Sequence, residues 1–543
     1  MTWSPSFKRD DWYENLLRGA FVLGAALWLS SCGTGSGSEA GLCQAAEQGV
    51  STDLPDNTAV LQAALNACAG QTMHVAAGTY IFAPALAYAD TNGFGNGITI
   101  PDRTSIIGDG RGKTILQIKG PGNYVSFFWI HDAGNVSISQ LTLAGNNARN
   151  PPPPAGAPAC YYDYGHAVFI QSTTRPIQDI SIVGNEFISF TGTSWISVLG
   201  GESGNGVGVD GGTVTINDNY FKSVEGNAVA PQYIVCPASA VAIQGLGPAV
   251  SAAGVSVSGN VIEADYIKSG VAVWSGAARI TIAYNTITRA GMGLPVPHGY
   301  SNGSYAILVY QQHAVPPDAT VFVRPTAIDI VDNVIDSPYS SGIYVLEGRN
   351  VRIEGNLISG QIDTYDATEP RGAIALNILD NAYDGVETAV SDNIMSGSAV
   401  GISIAGGTLP IVDSNVIESI PSDGIGMKVN GTALPGVTLT LTNTLIAADD
   451  GAANVSSLVG FFPMPGLTID GLYQTGAAYP LRWYSDVVGT PAQPQKAYCS
   501  LSAFGSIRQV FIGDHDCGFS AACWTPQTGF WPDYTEGCSS GGA

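Results

Sequence analysis

The residues best suited to chemistry stand in long polar turns, each of which precedes a short apolar strand. His298, Tyr339 and Arg371 offer a base, an acid and a cation at successive turns. Cleavage of a hexuronan by β-elimination needs these three groups: a cation beside the carboxylate, a base for the C5 proton and an acid for the leaving oxygen. Asp336 and Glu369 form an alternative pair, because glycoside hydrolysis uses two carboxylates. The ordinary alternative for both sets is that they are solvated loop side chains.

A row of aromatic and amide side chains is predicted beside those turns. The residue that follows each aligned strand points outward, and this row contains Gln171, Gln244, Trp274, Tyr310, Leu346, Asn377 and Lys428. Flat aromatic faces and amide groups on a sheet suit sugar rings and their hydroxyls. The predicted substrate contacts are Trp274, Tyr310, Tyr344, Asn377 and Lys268. The alternative interpretation is that aromatic residues on strands reflect only β-propensity.

A repeat of short alternating segments must position these side chains. Ile328–Ile335, Val351–Ile358 and Ala389–Met395 each contain a short alternation, a two-residue turn with an Asn, and a second alternation. The same Asn is read at Asn185, Asn219, Asn260, Asn285, Asn333, Asn356, Asn393, Asn415 and Asn443. Strands this short are stable only when they stack on neighbouring copies. We therefore predict a parallel β-solenoid in which the Asn adopts the left-handed conformation and hydrogen-bonds along the stack.

Segments near the N-terminus indicate which kind of solenoid this is. An N-capped amphipathic helix is predicted from Asp56 to Cys68, followed by His74–Tyr80 and the glycine-rich Ile106–Leu116. Together these segments resemble the N-terminal end of the pectin-lyase-like family, and the resemblance extends over residues 56–450. It implies an all-β, right-handed parallel β-helix whose first coil is capped by the helix.

No single enzyme family is implied by that resemblance. The His-Gly-His-Gly and Asn-Thr-Asp motifs of polygalacturonases are absent, as is the Asp-Pro-His-Asp motif of alginate epimerases. The Asp-rich calcium motifs of pectate lyases are absent too. The resemblance therefore implies the fold and leaves the reaction open.

The composition limits the partners. Charged residues make up 12% of the 543 residues, and the net charge is −23. This balance argues against a nucleic-acid partner, because phosphate contacts require clustered Lys and Arg. It also disfavours a strongly anionic glycan unless a cation or a local basic patch intervenes. The sequence defines no cofactor, and Ca²⁺ is the candidate ion.

The N-terminal segment is typical of an exported lipoprotein. Basic residues precede an apolar run from Gly19 to Leu29, which is shorter than the ~20 residues needed to span a bilayer. The run leads into Leu-Ser-Ser-Cys32, which resembles the lipobox of bacterial lipoproteins. We predict a signal peptide over residues 1–32, lipidation of Cys32 and a tether over residues 33–55. These features predict that the protein is anchored by a lipid in the bacterial cell envelope. The alternative is plain secretion.

The predicted β-helix spans residues 56–450, and residues 451–543 form a disulfide-bearing C-terminal cap. Besides Cys32 the chain has an even number of Cys, which in an exported protein predicts disulfides. Cys43 is expected to pair with Cys68, and the last four Cys with one another. These features predict a protein that binds and cleaves a polysaccharide. Lyase chemistry is favoured over hydrolysis. The alternative is a non-catalytic surface protein for adhesion or scaffolding, since every strict catalytic motif is absent.

Overall fold

The computed structural model describes the chain from residue 42 onward in a series of ranges. These are 42–83, 97–119, 126–145, 166–174, 177–190, 194–200, 213–224, 239–245, 252–274, 276–293, 303–310, 324–362, 371–378, 388–406, 411–430, 439–449, 452, 455–461, 464–475, 479–484, 504–512, 515–517 and 538–540.

Each coil contains three short strands, and successive coils stack in parallel. In a central coil the strands are Thr326–Val331, Val334–Asp336 and Ser341–Leu346. We name the three stacks face A, face B and face C, in that order along the coil. Alternation decides which side chains enter the core: Ile328 and Ile330 are fully buried, and the residue between them is not.

Face A contains β1 (Leu42–Gln44), β2 (Thr72–Val75), β5 (Ser105–Gly108), β8 (Gly134–Ser139), β11 (Gln178–Val183), β14 (Val214–Asn217), β17 (Ala252–Ser258), β20 (Ala277–Ala283), β23 (Thr326–Val331), β26 (Arg349–Glu354), β29 (Ala389–Ser391) and β32 (Ile411–Asp413). Face B contains β3 (Gly78–Phe82), β6 (Thr114–Ile118), β9 (Thr142–Ala144), β12 (Glu186–Ile188), β15 (Tyr220–Lys222), β18 (Val261–Glu263), β21 (Thr286–Thr288), β24 (Val334–Asp336), β27 (Leu357–Ser359), β30 (Ile394–Ser396) and β33 (Val416–Ile420).

Face C contains β4 (Ile98–Thr99), β7 (Ser126–His131), β10 (His166–Ser172), β13 (Ser194–Gly200), β16 (Ser239–Gly245), β19 (Ser269–Val273), β22 (Tyr305–Tyr310), β25 (Ser341–Leu346), β28 (Gly372–Ile378), β31 (Val400–Gly406), β34 (Ile425–Asn430), β36 (Ser456–Phe461) and β38 (Tyr479–Tyr484). The long strand β35 (Leu439–Ala448) pairs with both face A and face B, and β37 (Met464–Thr475) and β39 (Phe504–Ile512) follow it in parallel. Two antiparallel strands complete the sheet, β40 (His515–Cys517) and β41 (Cys538–Ser540).

The core is a stack of aliphatic side chains contributed by all three faces. In the central coil Ile335, Ile343 and Val345 are buried together with the face A residues. Each fully buried side chain of this size contributes roughly 1.5–3 kcal/mol, and β-branched residues suit the pleated surface. Space is tight where face C begins, since a Cβ added at Gly342 would lie 2.7 Å from the Ala373 carbonyl oxygen. The next coil therefore packs directly against this glycine.

A ladder of buried Asn side chains joins the turns between faces A and B. It consists of Asn185, Asn219, Asn260, Asn285, Asn333, Asn356, Asn393 and Asn415. The Oδ1 of Asn333 accepts hydrogen bonds from the backbone N–H of Asn285 at 3.0 Å and from its Nδ2 at 2.9 Å. The Nδ2 of Asn333 donates to Asn356 Oδ1 and to the Ile282 carbonyl, both at 2.9 Å. The predicted hydrogen bonding along the stack is confirmed.

Two details of the predicted ladder are wrong. The left-handed residue is the one before the Asn: Asp332 has φ 53°, whereas Asn333 is not among the positive-φ residues. Asn443 is itself the left-handed residue of its turn (φ 47°), is exposed and donates to Asp413 Oδ1. The ladder position in that coil is Thr444, which is buried. A one-residue shift therefore separates a buried Asn from an exposed one.

The predicted N-terminal helix is confirmed as α1 (Thr58–Ala67), which follows a short 3-10 helix (Ala46–Gln48). Its apolar side, Leu61, Ala64 and Leu65, is buried in the main core. The side chain that accepts the Thr58 N–H is that of Asp56, at 2.9 Å. In the described ranges no helix is long and apolar enough to cross a membrane.

The predicted disulfide between Cys43 and Cys68 is confirmed, and it ties β1 to the end of α1. Strand β1 pairs with β2, so the first coil begins inside the range predicted as a tether (33–55). At the other end, β36 and β38 continue face C, and β37 and β39 continue faces A and B through β35. The coils thus extend into residues 451–543, the range predicted as a cap.

Candidate functional site

Face C presents two parallel rows of outward-facing residues. Row 1 contains Trp129, Phe169, Ser197, Ala242, Ala272, Leu308, Tyr344, Ala375, Ser403 and Lys428. Row 2 contains His131, Gln171, Leu199, Gln244, Trp274, Tyr310, Leu346, Asn377 and Ala405. Neighbours within a row are about 4.8 Å apart, the spacing of paired strands.

The predicted outward row agrees with row 2 from Gln171 to Asn377, and its last member is wrong. Lys428 pairs with Ser403 and belongs to row 1. The segment from Gly424 to Val429 contains two overlapping Gly-apolar-x-apolar frames. The frame that begins at Gly426 is the one that enters face C.

The middle of row 1 is a buried layer outside the main core. Its members are Ala272, Leu308, Tyr344 and Ala375, together with Tyr305 and Leu346. Tyr344, a predicted substrate contact, exposes only 2% of its surface. Alternation points Tyr344 away from the core, but this side of the sheet is covered as well. Tyr344 therefore lies beneath the surface of face C.

Ring stacking and one hydrogen bond hold Tyr344 in place. The Tyr305 ring stacks on it, with centroids 4.7 Å apart and planes 17° apart. Asn377, a predicted contact in the next coil, donates from Nδ2 to the Tyr344 hydroxyl at 3.1 Å and is buried too. The Gly303 N–H donates to the Tyr305 hydroxyl at 3.0 Å. These groups form a connected support for the residues above them.

Trp274 and Tyr310 form the aromatic surface of row 2. Their ring centroids are 5.4 Å apart and the rings meet edge to face, at 71°. Both rings pack on the buried layer and both stay partly exposed. Edge-to-face pairing is a favourable arrangement of aromatic quadrupoles, so it fixes the orientation of both rings. Among the predicted substrate contacts in the described ranges, these two are the ones that reach solvent.

The two predicted cations stand at the turns that lead into face C. Arg371 directly precedes β28, and Lys268 directly precedes β19 three coils earlier, about 14 Å away. Both side chains are buried. A Cβ at Gly303 would lie 2.3 Å from Arg371 Nη1 and 2.7 Å from Ser340 Oγ. The absence of a side chain at Gly303 leaves the space that the guanidinium occupies.

Tyr339 belongs to the turn between β24 and β25, and Asp336 is the last residue of β24. Tyr339 is partly exposed, and Ser340, the next residue, faces Gly303 beside Arg371. The structure thus brings Tyr339 and Arg371 to the same group of turns. Asp336 is exposed at the end of face B, where its Oδ1 accepts a hydrogen bond from the Ser359 hydroxyl at 2.9 Å.

The remaining predicted site residues, His298, Glu369 and Cys32, lie outside the described residues. The described part of the chain contains no group of three or more His, Cys, Asp or Glu side chains placed to hold a metal ion. Of the residues predicted for a lyase, the structure therefore describes Tyr339 and Arg371. Of the pair predicted for a hydrolase, it describes Asp336.

A buried ion pair at the end of row 2 was not predicted. Glu347 follows Leu346 directly, and its carboxylate lies 3.1 Å from Arg324 Nη2 with both side chains almost fully buried. The Glu347 N–H donates to the Asn377 carbonyl at 3.1 Å. Breaking such a pair is costly, because a charge would remain buried without compensation. The sequence signal was a Glu-Gly step immediately after the strand.

A family model described as "Right handed beta helix region" matches residues 319–457. With the observed coils, this match shows the fold: the chain forms a right-handed parallel β-helix, as predicted. Comparison with curated protein sequences finds no significant match.

Several solved structures are similar to this chain. The A-module of mannuronan C-5 epimerase AlgE6 from Azotobacter vinelandii shares 14% identity, covering 79% of this chain and 98% of that chain, with a TM-score of 0.44. The GH87 α-1,3-glucanase of Streptomyces thermodiastaticus shares 15% identity over 86% of this chain and 73% of that one, with a TM-score of 0.47. PfbA, a surface adhesin of Streptococcus pneumoniae, shares 14% identity over 90% and 99%, with a TM-score of 0.43. At these identities the similarity concerns the fold.

Proposed function

We propose that the protein binds a polysaccharide along face C, with Trp274 and Tyr310 as the direct sugar contacts. The observation that carries this proposal is the edge-to-face pair itself, which stays partly exposed although the layer below it is buried. Aromatic faces bury the apolar side of a sugar ring at little conformational cost, since their rotamers are already fixed. Tyr344 and Asn377 then act as supports beneath the contact surface.

We further propose that the bound glycan is a hexuronan cleaved by β-elimination. In this assignment Arg371 neutralises the uronate carboxylate, His298 removes the C5 proton and Tyr339 protonates the oxygen that leaves C4. The C4–O bond breaks as the C4=C5 double bond forms, so the products are one new chain end and one unsaturated sugar. Arg371 and Tyr339 standing at the same group of turns supports this assignment. A hydrolytic reaction would instead depend on Asp336 with Glu369.

A second candidate is binding without cleavage, in a surface adhesin or scaffold. The burial of Ala272, Leu308, Tyr344 and Ala375 favours this candidate. A covered layer leaves less of the sheet surface accessible to a sugar that must react there. In both candidates the polysaccharide contact is the Trp274–Tyr310 pair. In both, the chain is anchored in the bacterial cell envelope through a lipid on Cys32.

Incubation with uronic-acid and neutral glycans, with and without Ca²⁺, tests these proposals. Both unsaturated products and new reducing ends are measured, and retention in glycan-containing gels reports binding. Unsaturated products support the lyase. Reducing ends without unsaturation support the hydrolase, and binding without either product supports the adhesin. A protein that binds no glycan and cuts none refutes the function.

Two variants test the lyase residues. Tyr339→Phe removes only a hydroxyl from a partly exposed ring, so it is expected to fold and to lose about 100-fold or more in rate. Arg371→Ala is expected to lose at least as much, with Arg371→Lys as the variant that keeps a buried cation. The matched control is Tyr284→Gly, which removes an exposed tyrosine far from face C. Glycine also removes the strain of the left-handed backbone at this position (φ 57°). Unchanged cleavage in Tyr339→Phe would refute the assigned acid.

A further inference from the structure

Row 1 of face C also carries two aromatic side chains that the proposed site does not use. Trp129 in β7 and Phe169 in β10 are neighbours in register, and both are partly exposed. The next members of the row, Ser197 and Ala242, are small. At about 4.8 Å per coil, Trp129 lies four coils, or roughly 19 Å, from the coil of Trp274. Small side chains therefore separate the two aromatic groups in row 1.

Polar neighbours fix the orientation of the Trp129 ring. Its Nε1–H donates to Gln171 Oε1 at 3.1 Å, and Gln171 is buried. On the same strand the His131 ring stacks on Trp129, with centroids 4.4 Å apart and planes 13° apart. His131 Nε2 in turn lies 2.7 Å from Thr173 Oγ1. The indole is thus held at the surface by contacts that leave it outside the core.

The Phe169 ring is oriented in a similar way. It stacks on the His166 ring, with centroids 5.3 Å apart and planes 19° apart. His166 is buried, and its Nδ1 hydrogen-bonds the Ser194 carbonyl in the next coil. Two partly exposed aromatic rings are therefore oriented by neighbouring side chains that are themselves hydrogen-bonded. Such support is what holds a binding surface in one geometry before the ligand arrives.

We infer that Trp129 and Phe169 form a second contact site for the same glycan, which binds there through the apolar faces of its sugar rings. This inference rests on the proposed function and extends it by naming a remote anchor. The aromatic faces suit the apolar side of a sugar ring, and Gln171, Thr173 and His131 bring polar groups beside them. The carboxylate nearby, Asp132, is already bonded by the N–H and hydroxyl groups of neighbouring threonines.

The chemistry of the surface favours a sugar over a peptide as the occupant. A peptide strand binds by pairing with an open sheet edge, whereas these rings stand on the face of a sheet whose strands β7 and β10 are paired on both sides. A glycan lying along face C would contact both aromatic groups only when it is long enough to span roughly 19 Å.

Chain length is therefore the variable that reveals the second site. A long oligosaccharide engages both aromatic groups, and the second contact is intramolecular once the first has formed. A short oligosaccharide engages one. Loss of the Trp129 ring is expected to weaken binding of long chains by roughly 3- to 10-fold, the range that an oriented aromatic contact supplies, and to leave short chains at Trp274 unchanged.

The experiment measures affinity by calorimetry for short and long oligosaccharides prepared from whichever of the assayed glycans is retained. Laminarin, mannan, xylan and dextran are the neutral probes, beside a hexuronan. The variants are Trp129→Ala, Trp129→Phe, Trp274→Ala and the control Tyr284→Gly. Trp129→Phe keeps an aromatic face and is expected to retain most of the long-chain affinity. Thermal unfolding of each variant verifies that the coils are intact.

The outcomes separate the inference from the proposed function. Weaker binding of long chains only in Trp129→Ala, and of all chains in Trp274→Ala, supports both. An effect of Trp274→Ala with none of Trp129→Ala overturns the second site and leaves the function standing. An effect of Trp129→Ala with none of Trp274→Ala supports the N-terminal site and refutes the central one. A protein that binds none of the probes overturns both.

Discussion

The Asn ladder allows a prediction in which two asparagines of the same kind of turn behave differently. Asn333 is buried within the ladder, whereas Asn443 is exposed one position before it. Both are replaced by glycine, so that the change is the same at each site. Glycine is also compatible with the left-handed backbone at Asn443, so the control carries no added strain.

The expected loss follows from the hydrogen bonds that each side chain makes. Asn333→Gly removes the acceptor of two bonds from Asn285 and the donor to the Ile282 carbonyl and to Asn356. The Asn285 N–H is then buried without this partner, and a buried unsatisfied group costs about 1–3 kcal/mol. With the other lost bonds, the free energy of unfolding is expected to fall by roughly 3–5 kcal/mol. Asn443→Gly loses one exposed bond, so its change is expected to stay within about 0.5 kcal/mol.

Urea unfolding followed by far-ultraviolet circular dichroism measures both variants against the unmodified protein. Because coils contact only their neighbours, limited proteolysis should show the first cleavage of Asn333→Gly near its own coil. A loss below about 1 kcal/mol in Asn333→Gly would refute the view that the ladder stabilises the stack. Equal losses in the two variants would refute the one-residue distinction between buried and exposed Asn.

Three further predictions follow from other parts of the chain. Burial raises the pKa of Asp132, but hydrogen bonds from two threonines outweigh it and hold that pKa well below its usual range. The carboxylate therefore stabilises the fold above the unfolded pKa of about 3.9 and loses this effect as pH falls toward its folded value, so Asp132→Asn should flatten the acid side of a melting-temperature profile. Cys517 lies directly opposite Cys538 in the antiparallel pair β40–β41, and non-reducing peptide mapping is expected to recover them as one disulfide. Cys32→Ser is expected to abolish incorporation of a labelled fatty acid and release the protein from membranes, whereas retained labelling would refute the lipid anchor.

The coils were predictable from sequence because their signals are local. Alternation of period two and an Asn at a fixed place in a two-residue turn are read without knowing which coil lies next to which. The one-residue and two-residue errors in register arose where neighbouring residues fit the repeat pattern in two ways. Asn443 stands one position from the ladder, and the frame at Gly424 competes with the frame at Gly426.

The candidate site was less predictable, because its properties depend on several coils at once. Alternation shows that Tyr344 points away from the core, but not that the outer side is covered. The ion pair joins Arg324, just before β23, to Glu347, just after β25, and therefore depends on how that coil closes. The need for glycine at position 303 follows only from the position of the Arg371 guanidinium, which comes from a later coil. Pairing across coils decides these features, and no single segment of sequence contains it.

The ladder and the candidate site are also physically linked. Trp274 ends the coil that contains Asn260, and Tyr310 ends the coil that contains Asn285. The bonds between these two Asn hold the coils in register, and that register places the rings 5.4 Å apart. The turns into face C vary in length without disturbing the ladder, because they leave from the opposite end of each face B strand. The fold can therefore change the chemistry in its turns while keeping a constant aromatic surface beside them, which is the division of roles between scaffold and loops expected for a site of this kind.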